Sequence, residues 1–275
     1  MQAVQCDGCG GSIAVVIGKP DPTCLFCGST ALVPVDPDRE IEHPTEAAPF
    51  DVPKSKADGA FRAFARSSFF YPPAIRDASL QLRPLLVPAW KWSGSLETYF
   101  TGLKRAATKS GKAPVSGTRH LNFQQVVVPA SATLTQAEMN GLGVWDEAKL
   151  QHFEEAASQV PWELAELSRE AAREAALSEM ERLARDTIAN EASLIKTLTS
   201  GIPHDLDGRP VLLPVWIGAY RHKDVAYRVL VNGQTGELHG EAPYDWLRIL
   251  MVVALTLGAL FLAFVVCSGV LAVLG

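Results

Sequence analysis

The sequence predicts an α+β protein built from three parts. Two Cys-x2-Cys pairs lie near the N-terminus, strand-like and helix-like stretches alternate through the middle, and residues 249–274 contain no charged side chain. This order favours an N-terminal metal-binding ribbon and a soluble domain of two related antiparallel β units with a long helix between them. A single C-terminal transmembrane helix completes the predicted chain.

The composition is that of an ordinary folded protein. The chain has 275 residues, a formal net charge of −5 and 20% charged residues, which excludes disorder of the whole chain. Its first residues, MQAVQCDGCGG, lack the basic start and apolar run of a secretory signal. We therefore expect the soluble part to remain in the cytoplasm.

Residues 1–35 have the cysteine spacing of a zinc ribbon. Cys6-x2-Cys9 is followed by 14 residues and then by Cys24-x2-Cys27, and a glycine follows each pair. Two residues between thiolates allow both sulfurs of a tight turn to reach one ion, and four thiolates favour zinc over harder cations. The predicted ligands of one Zn²⁺ ion are Cys6, Cys9, Cys24 and Cys27.

Other roles for four cysteines are a pair of disulfides, a redox Cys-x2-Cys site and an iron–sulfur cluster. The missing secretory signal argues against disulfides, and the missing helical run after either pair argues against a thioredoxin-like site. Iron in the same four-cysteine site remains open. Four protein ligands leave no position for substrate or water, so we expect a structural rather than a catalytic ion.

The ribbon has few cationic side chains that could bind a phosphate backbone. Residues 1–50 contain Lys19 and Arg39 against seven acidic residues, a net charge of −5. Because nucleic-acid binding depends on cations, this balance favours a protein partner or a purely structural role. Residues 36–53 are rich in proline and acid, which predicts a linker. We therefore expect chelation to unfold the ribbon alone.

Residues 54–243 are expected to form the α+β cytoplasmic domain. LLVPAW at 85–90 and LLPVW at 212–216 share an apolar run, a proline and a tryptophan, which suggests an internal repeat, although chance similarity of short apolar runs is the alternative. Residues 121–128 read as a strand, and 232–236 (NGQTG) predict tight turns. The basic stretch 104–119 is expected to be a mobile, solvated loop or one that faces lipid or nucleic acid.

A long helix is predicted at about 162–200, between the two β units. Ala, Glu, Leu and Arg dominate this stretch until Gly201 and Pro203. Met180, Ile188 and Leu198 belong to an apolar stripe at helical spacing. A coiled-coil partner is one use of the stripe, and packing on the chain's own sheet is the favoured one.

Residues 247–275 are predicted to span a membrane. The 26 uncharged residues would form a helix about 39 Å long, against a hydrocarbon core of about 30 Å. A buried core helix is the alternative, but it would normally carry a polar stripe. Tyr244, Trp246 and Arg248 suit the headgroup region on the cytoplasmic side. The prediction is a single-pass protein of the inner (cytoplasmic) membrane, in contact with lipid, whose Ala254 and Gly258 permit homo-oligomers.

The motifs together resemble a family of bacterial zinc-ribbon membrane proteins to which no biochemical role is assigned. The resemblance is carried by the two Cys-x2-Cys-Gly pairs, the two Pro-x-Trp motifs, the NGQTG segment and Gly240-Glu241-Ala242-Pro243 before the span. Members often bear a label borrowed from primosomal helicases, but this sequence has no Gly-x4-Gly-Lys-Ser/Thr loop. The resemblance implies the metal ligands and the topology, and no catalytic residues.

No catalytic constellation is visible in the sequence. The six histidines show no metal-ligand spacing, and Gly-x-Ser-x-Gly is absent. We therefore expect no enzyme, but a membrane-anchored adaptor or scaffold with a protein partner. One alternative is a membrane-tethered nucleic-acid-binding regulator that uses the basic stretch 104–119. The other is an enzyme whose pocket is lined by Trp90, Trp216 and Tyr220.

Overall fold

A computed structural model shows how these elements are arranged. It describes residues 2–15, 24, 26, 29–36, 41–76, 78, 80–105, 111–154, 160–192, 194–223 and 225–274. The α+β class is confirmed, with a large mixed sheet and helices packed against it.

Eleven strands of the described residues join into one sheet. They are β1 (Gln2–Cys6), β2 (Ser12–Val15), β3 (Leu32–Pro34), β4 (Glu46–Ala47), β5 (Arg83–Arg105), β6 (Lys112–Pro129), β7 (Gln151–His152), β8 (Trp162–Glu163), β9 (Leu194–His222), β10 (Val225–Asn232) and β11 (Leu238–Gly240). The main path runs β11-β10-β9-β5-β8-β2-β1-β3, while β6 pairs with β5, and β4 pairs with β7 and β9. The pairs β4–β9 and β5–β8 are parallel.

The helices of the described residues differ in length and role. They are α1 (Lys54–Arg66), α2 (Pro73–Arg76), α3 (Gln136–Gly141), α4 (Arg169–Glu191) and α5 (Trp246–Leu274), with a 3₁₀ turn at Glu147–Lys149. Helix α3 begins with a capping box, in which the Thr135 hydroxyl accepts from the backbone N–H of Glu138, while the Glu138 side chain accepts from that of Thr135.

The long helix is shorter at both ends than the predicted 162–200. Residues 162–163 belong to β8, and β9 begins at Leu194. The spacing of apolar residues had extended the predicted helix through Leu198. In the structure the backbone at Leu198 pairs with β5 opposite Thr101, and the Leu198 side chain is 76% exposed. Ladder hydrogen bonds with a long neighbouring strand thus prevail over local helix propensity.

Helix α4 packs on one face of the sheet, as the sequence favoured. Its small residues Ala172, Ala176 and Ala184 lie with Met180 against Trp90 and neighbouring side chains of β5 and β6. Alanines at this spacing let the helix backbone approach the sheet closely, because they have no bulk to hold it away.

The two Pro-x-Trp motifs lie side by side in the centre of the sheet. In the antiparallel pair β5–β9, Leu86 is opposite Pro214 and Val87 is opposite Leu213. The two runs belong to one continuous sheet, and the prediction of two related antiparallel β units is not confirmed. Both runs are apolar throughout because both of their faces are covered.

The two tryptophans make matching contacts. The Trp90 indole donates to the carbonyl of Leu167, just before α4, and the Trp216 indole donates to the carbonyl of Val52, just before α1. The distances are 3.0 and 2.9 Å. Each tryptophan therefore ties a central strand to the segment that leads into a helix.

The ribbon is part of the main sheet rather than a separate module. Strand β2 pairs with β8, where Ile13 lies opposite Glu163 and Ala14 opposite Trp162. Cys6, Ile13, Cys24 and Phe26 belong to the same buried cluster as Leu85, Val87, Val215 and Ile217. The ribbon therefore shares its apolar core with the central strands.

The predicted linker 36–53 is also integrated where the structure describes it. Glu46 and Ala47 form β4, and Val52 is 1% exposed. Phe50 packs edge-on against Trp216 with ring centroids 5.2 Å apart. The acidic and proline-rich composition suggested a tether, but Ala48, Phe50 and Val52 supply apolar groups that the core buries.

The basic stretch 104–119 is largely strand rather than loop. Strands β5 and β6 form a long hairpin that extends to the pair Arg105–Lys112. Residues 106–110, which contain part of the predicted loop, lie outside the described residues. Because β9 pairs with the other edge of β5, the strands β6, β5 and β9 form a long three-stranded antiparallel segment of the sheet.

Helix α5 is long and apolar enough to cross a membrane. Its segment Trp246–Phe264 has no residue buried inside the protein, and among the described residues it is the one candidate span. The alternative interpretation of this segment was a buried core helix. The exposure of its apolar side chains does not agree with that interpretation.

Candidate metal centre

The first cysteine pair lies on a tight turn at the end of β1. The Cys6 N–H donates to the Gly11 carbonyl at 3.0 Å, and the Gly10 N–H donates to the Cys6 carbonyl at 2.8 Å. Gly10 has φ +76°, a left-handed conformation that glycine adopts without strain. The Gly8 N–H lies 3.3 Å from the Cys6 sulfur, as in metal sites where backbone N–H groups point at thiolates.

The second pair is described only in part. Cys24 is 2% exposed, and its N–H donates to the Ser29 carbonyl at 2.8 Å, with the same separation in sequence as the hydrogen bond from Cys6 to Gly11. The predicted fourth ligand, Cys27, lies outside the described residues. Phe26 packs against Gly11, where a Cβ would come within 2.7 Å of the phenyl ring. Phe26 therefore packs against the end of the first cysteine turn.

Three cysteine sulfurs converge at one point. The sulfurs of Cys6, Cys9 and Cys24 all lie within 4.8 Å of one another, and those of Cys9 and Cys24 are 3.5 Å apart. A disulfide would require about 2.05 Å, whereas sulfurs around a tetrahedral zinc at about 2.3 Å are separated by about 3.8 Å. This spacing fits common coordination of a metal ion.

The three cysteines differ in burial. Cys6 and Cys24 are buried, whereas Cys9 is exposed. The buried sulfurs are within the apolar cluster shared with the central strands, so a metal there would fix the ribbon to the sheet. The exposed cysteine therefore places one side of the sulfur cluster at the protein surface.

A cleft lies beside the exposed cysteine. It has a volume of about 770 Å³ and is bordered by Cys9, Thr133, Glu138, Arg221, Arg228 and His239, among others. Burial acts to raise the pKa of Glu138, but hydrogen bonds from the Thr135 N–H and from Arg228 outweigh it and hold that pKa below its ordinary value. The cleft therefore presents a fixed ion pair next to the ribbon.

Comparisons with known proteins give no further assignment: no protein-family model, curated protein or solved structure matches the chain. The resemblance to bacterial zinc-ribbon membrane proteins stays a prediction from the motifs.

The aromatics considered for a catalytic pocket lie in two different clusters. Trp90 packs under α4, whereas Trp216 and Tyr220 pack with α1. All three are buried, with exposed fractions of 0%, 9% and 3%. The structure thus assigns them to packing and does not bring them together around one cavity.

Two histidines and a glutamate come together on an exposed face of the strands β5, β6 and β9. Their spacing in the sequence did not predict this cluster. The Glu97 carboxylate lies 4.0 Å from His120 and 3.8 Å from His204, and it accepts from the Tyr99 hydroxyl at 2.8 Å. Three different strands contribute these residues, so only the sheet register could reveal them. By contrast, His222 lies opposite Val225 and His239 opposite Leu230, well separated on the terminal strands.

Proposed function

We propose that the protein is a membrane-anchored adaptor or scaffold with one structural zinc ion and a role in binding rather than catalysis. One observation carries the proposal: a converging cysteine cluster, with two of its three members buried in the core, belongs to a domain that continues directly into an apolar, uncovered helix. Such a site stabilises a surface, and such a helix holds that surface at a membrane.

Zinc is the proposed ion because the donors are thiols. Cys27 completes the set of Cys6, Cys9 and Cys24 in this proposal, and four soft ligands in a tetrahedron suit Zn²⁺. Elemental analysis of the purified full chain tests it, with one zinc per chain expected and Cys9→Ser expected to lower the content. Stoichiometric iron in place of zinc would contradict the assignment.

The proposed location is the inner membrane, with the N-terminal domain in the cytoplasm. Exposed arginines at 62, 66 and 76, together with Arg248, lie on the domain side of the span, as the positive-inside tendency requires. Protease added to sealed spheroplasts should leave the domain intact and should digest it only after lysis. Digestion in sealed spheroplasts would reverse the orientation.

The cleft beside Cys9 is the proposed site for a protein partner. It combines the exposed cysteine turn with Arg221 and the Glu138–Arg228 ion pair, and it lies next to the edge strand β11. An acidic segment of a partner would complement Arg221 there. We propose Arg221→Glu as the discriminating variant, and Arg173→Glu on the exposed side of α4 as its matched control.

The experiment is cross-linking and recovery of the full chain from membranes in mild detergent. A specific partner should be recovered with the wild-type chain and with Arg173→Glu, and lost by at least tenfold with Arg221→Glu. Reciprocal recovery with the identified partner should give the same pattern. Equal recovery with both variants would exclude the cleft, and recovery of no partner at all would contradict the adaptor function.

A membrane-tethered nucleic-acid-binding regulator is the second candidate. The observation that favours it is the position of Lys104 and Lys112, both exposed at the far end of the β5–β6 hairpin. Binding of DNA or RNA that weakens with salt, and that Lys104→Gln with Lys112→Gln reduces, would support this candidate. Unchanged binding in the double variant would eliminate the hairpin as its basis.

A further inference from the structure

The turn between α1 and α2 carries aromatic side chains to the surface. Phe69 is 53% exposed, and its ring lies edge-on to that of Phe70 at 5.7 Å. Tyr71 follows, with its ring 6.0 Å from that of Tyr244. The buried face of α1, formed by Ala57, Phe61 and Ala65, fixes the helix on the sheet, so the turn at its end is well supported.

This turn is attached to the first turn of α5. The Asp245 N–H donates to the Phe70 carbonyl at 2.8 Å, and the Arg248 guanidinium donates to the Phe69 carbonyl at 2.7 Å. The same guanidinium lies 5.1 Å from the centre of the Phe69 ring and 3.3 Å from the Asp245 carboxylate. The aromatic turn therefore sits at the base of the apolar helix.

Exposed apolar side chains occur on both sides of this junction. Besides Phe69, they are Tyr244, Trp246 and Leu247, which are 59%, 71% and 78% exposed and are neighbours in sequence of Asp245 and Arg248. Aromatic rings with a polar edge are enriched where the hydrocarbon core meets the headgroups. A soluble domain has no reason to expose such a surface, and a membrane interface would cover it.

The charge around the turn has the sign that suits anionic lipid. Residues 62–76 contain three arginines and no acidic residue, although the whole chain carries a net charge of −5. Arg62, Arg66 and Arg76 are all exposed. Basic residues beside a span are attracted to the negative surface of the cytoplasmic leaflet.

We propose that the turn at residues 67–72 is a second membrane contact, in which Phe69 enters the headgroup boundary beside Trp246 while the three arginines bind anionic headgroups. The contact rests on the proposed function, because it requires α5 to be in a bilayer. With two points of attachment, the domain is held against the membrane in one orientation instead of moving freely on its span.

Photo-cross-linking of the full chain in vesicles tests this contact. p-Benzoylphenylalanine replaces Phe69, Phe261 within the span or Tyr99 on the outer sheet face, one position at a time, in vesicles of phosphatidylcholine with about 30% phosphatidylglycerol. All three side chains are exposed, at 53%, 69% and 45%, so the replacements should not disturb packing. Mass spectrometry then identifies the molecule attached at each position.

Lipid adducts at 69 and 261 but not at 99 are the expected result. Adducts at 261 alone, or attachment of position 69 to a second copy of the chain, would overturn the second contact and leave the membrane anchor standing. Absence of lipid adducts at 261 would instead show that the span itself is outside the bilayer, and both proposals would fall.

A charge-matched pair of variants tests the headgroup part. Arg62→Gln, Arg66→Gln and Arg76→Gln combined should reduce the adduct yield at 69 several-fold in anionic vesicles and leave the yield at 261 unchanged. Lys104→Gln, Lys112→Gln and Arg119→Gln remove the same charge from the hairpin and should have no effect at 69. Equal effects of the two triple variants would overturn a specific role for the three arginines.

Discussion

Glu163 is a buried carboxyl at the junction of the ribbon and the main sheet. It is 1% exposed, and it accepts from the Ser131 hydroxyl at 2.6 Å and the Thr133 hydroxyl at 3.3 Å. Burial raises the pKa of Glu163 to about 8; the nearby charge of Glu166 adds to this, and the two hydroxyls and Arg228 oppose it. The folded protein therefore keeps this group protonated at neutral pH.

This burial makes stability fall as pH rises. Between the ordinary pKa of 4.5 and about 8 the folded state holds a proton that the unfolded state has released. The contribution of Glu163 to the free energy of unfolding is therefore greatest below about pH 4.5. It decreases by about 1.4 kcal/mol per pH unit until about pH 8, above which it is constant.

Glu163→Gln is expected to remove this decrease, because the amide is neutral at every pH and fits the same space. Urea unfolding in mild detergent from pH 5 to pH 9 measures the effect, with the variant more stable than the wild type at pH 8. Glu166→Gln, an exposed neighbour, is the control and should keep most of the slope. A wild-type slope that persists in Glu163→Gln would refute the assignment.

Asn232, the first residue of the NGQTG segment, is a buried hydrogen-bonding residue. Its side chain is fully buried, and its amide nitrogen donates to the carbonyls of Leu142 at 2.9 Å and Val144 at 3.2 Å. Its oxygen accepts from the N–H groups of Gln234 at 2.8 Å and Thr235 at 3.2 Å. One side chain therefore joins the terminal hairpin to the segment after α3.

Asn232→Asp should destabilise the fold by about 3 kcal/mol at neutral pH, because a carboxylate would face two carbonyl oxygens with no donor. The loss should be smaller at acidic pH, where a protonated carboxyl can donate. Urea unfolding at about pH 5 and pH 8 measures both values. Asn190→Asp on the exposed end of α4 is the control, and an equal loss in the two variants would contradict this role.

At the scale of elements, two local patterns have a counterpart in the structure, whereas predictions that depended on distant partners failed. The cysteine spacing and the uncharged run are each visible within a few dozen residues, and the structure gives a sulfur cluster and an apolar helix there. The end of α4 was misplaced because residues 194–200 pair with β5, almost a hundred residues away. No local pattern contains that partner.

The prediction that the ribbon is an independent module failed for the same reason. Its composition and the acidic segment after it suggested an independent module on a tether. Its attachment depends on β8 and on Leu85, Val87 and Val215, which lie far along the chain. The Glu97–His120–His204 cluster was missed for the same reason, since each of its members belongs to a different strand.

Because the ribbon is attached to the sheet, removal of the proposed metal ion should affect more than the ribbon. We expect chelation to destabilise the central sheet as well as the ribbon, because Cys6 and Cys24 pack in one cluster with Val87 and Val215. Hydrogen exchange should quicken at residues 2–15, at β8 and at the facing part of β5, while Val229 in the cluster under α1 stays protected. Faster exchange confined to residues 2–15 would show that the ribbon unfolds alone.

On the scale of the whole molecule, the described residues show few contacts between the domain and helix α5. The described contacts join Asp245 and Arg248 to the turn at 69–71, and the rest of the apolar segment through Phe264 is uncovered. A chain that ends at residue 248 keeps every one of these contacts. Its folded domain should therefore differ from the full chain in free energy of unfolding by less than about 1 kcal/mol.

The last prediction concerns partition between membrane and solution. The full chain should stay with membranes through a wash in about 0.5 M salt, whereas the chain ending at residue 248 should be released, because salt screens the arginine contacts that remain. Leu257→Arg with Leu260→Arg keeps the length and places two charges in mid-span, so it should prevent insertion. Salt release of the full chain, or retention of the double variant, would contradict a spanning helix.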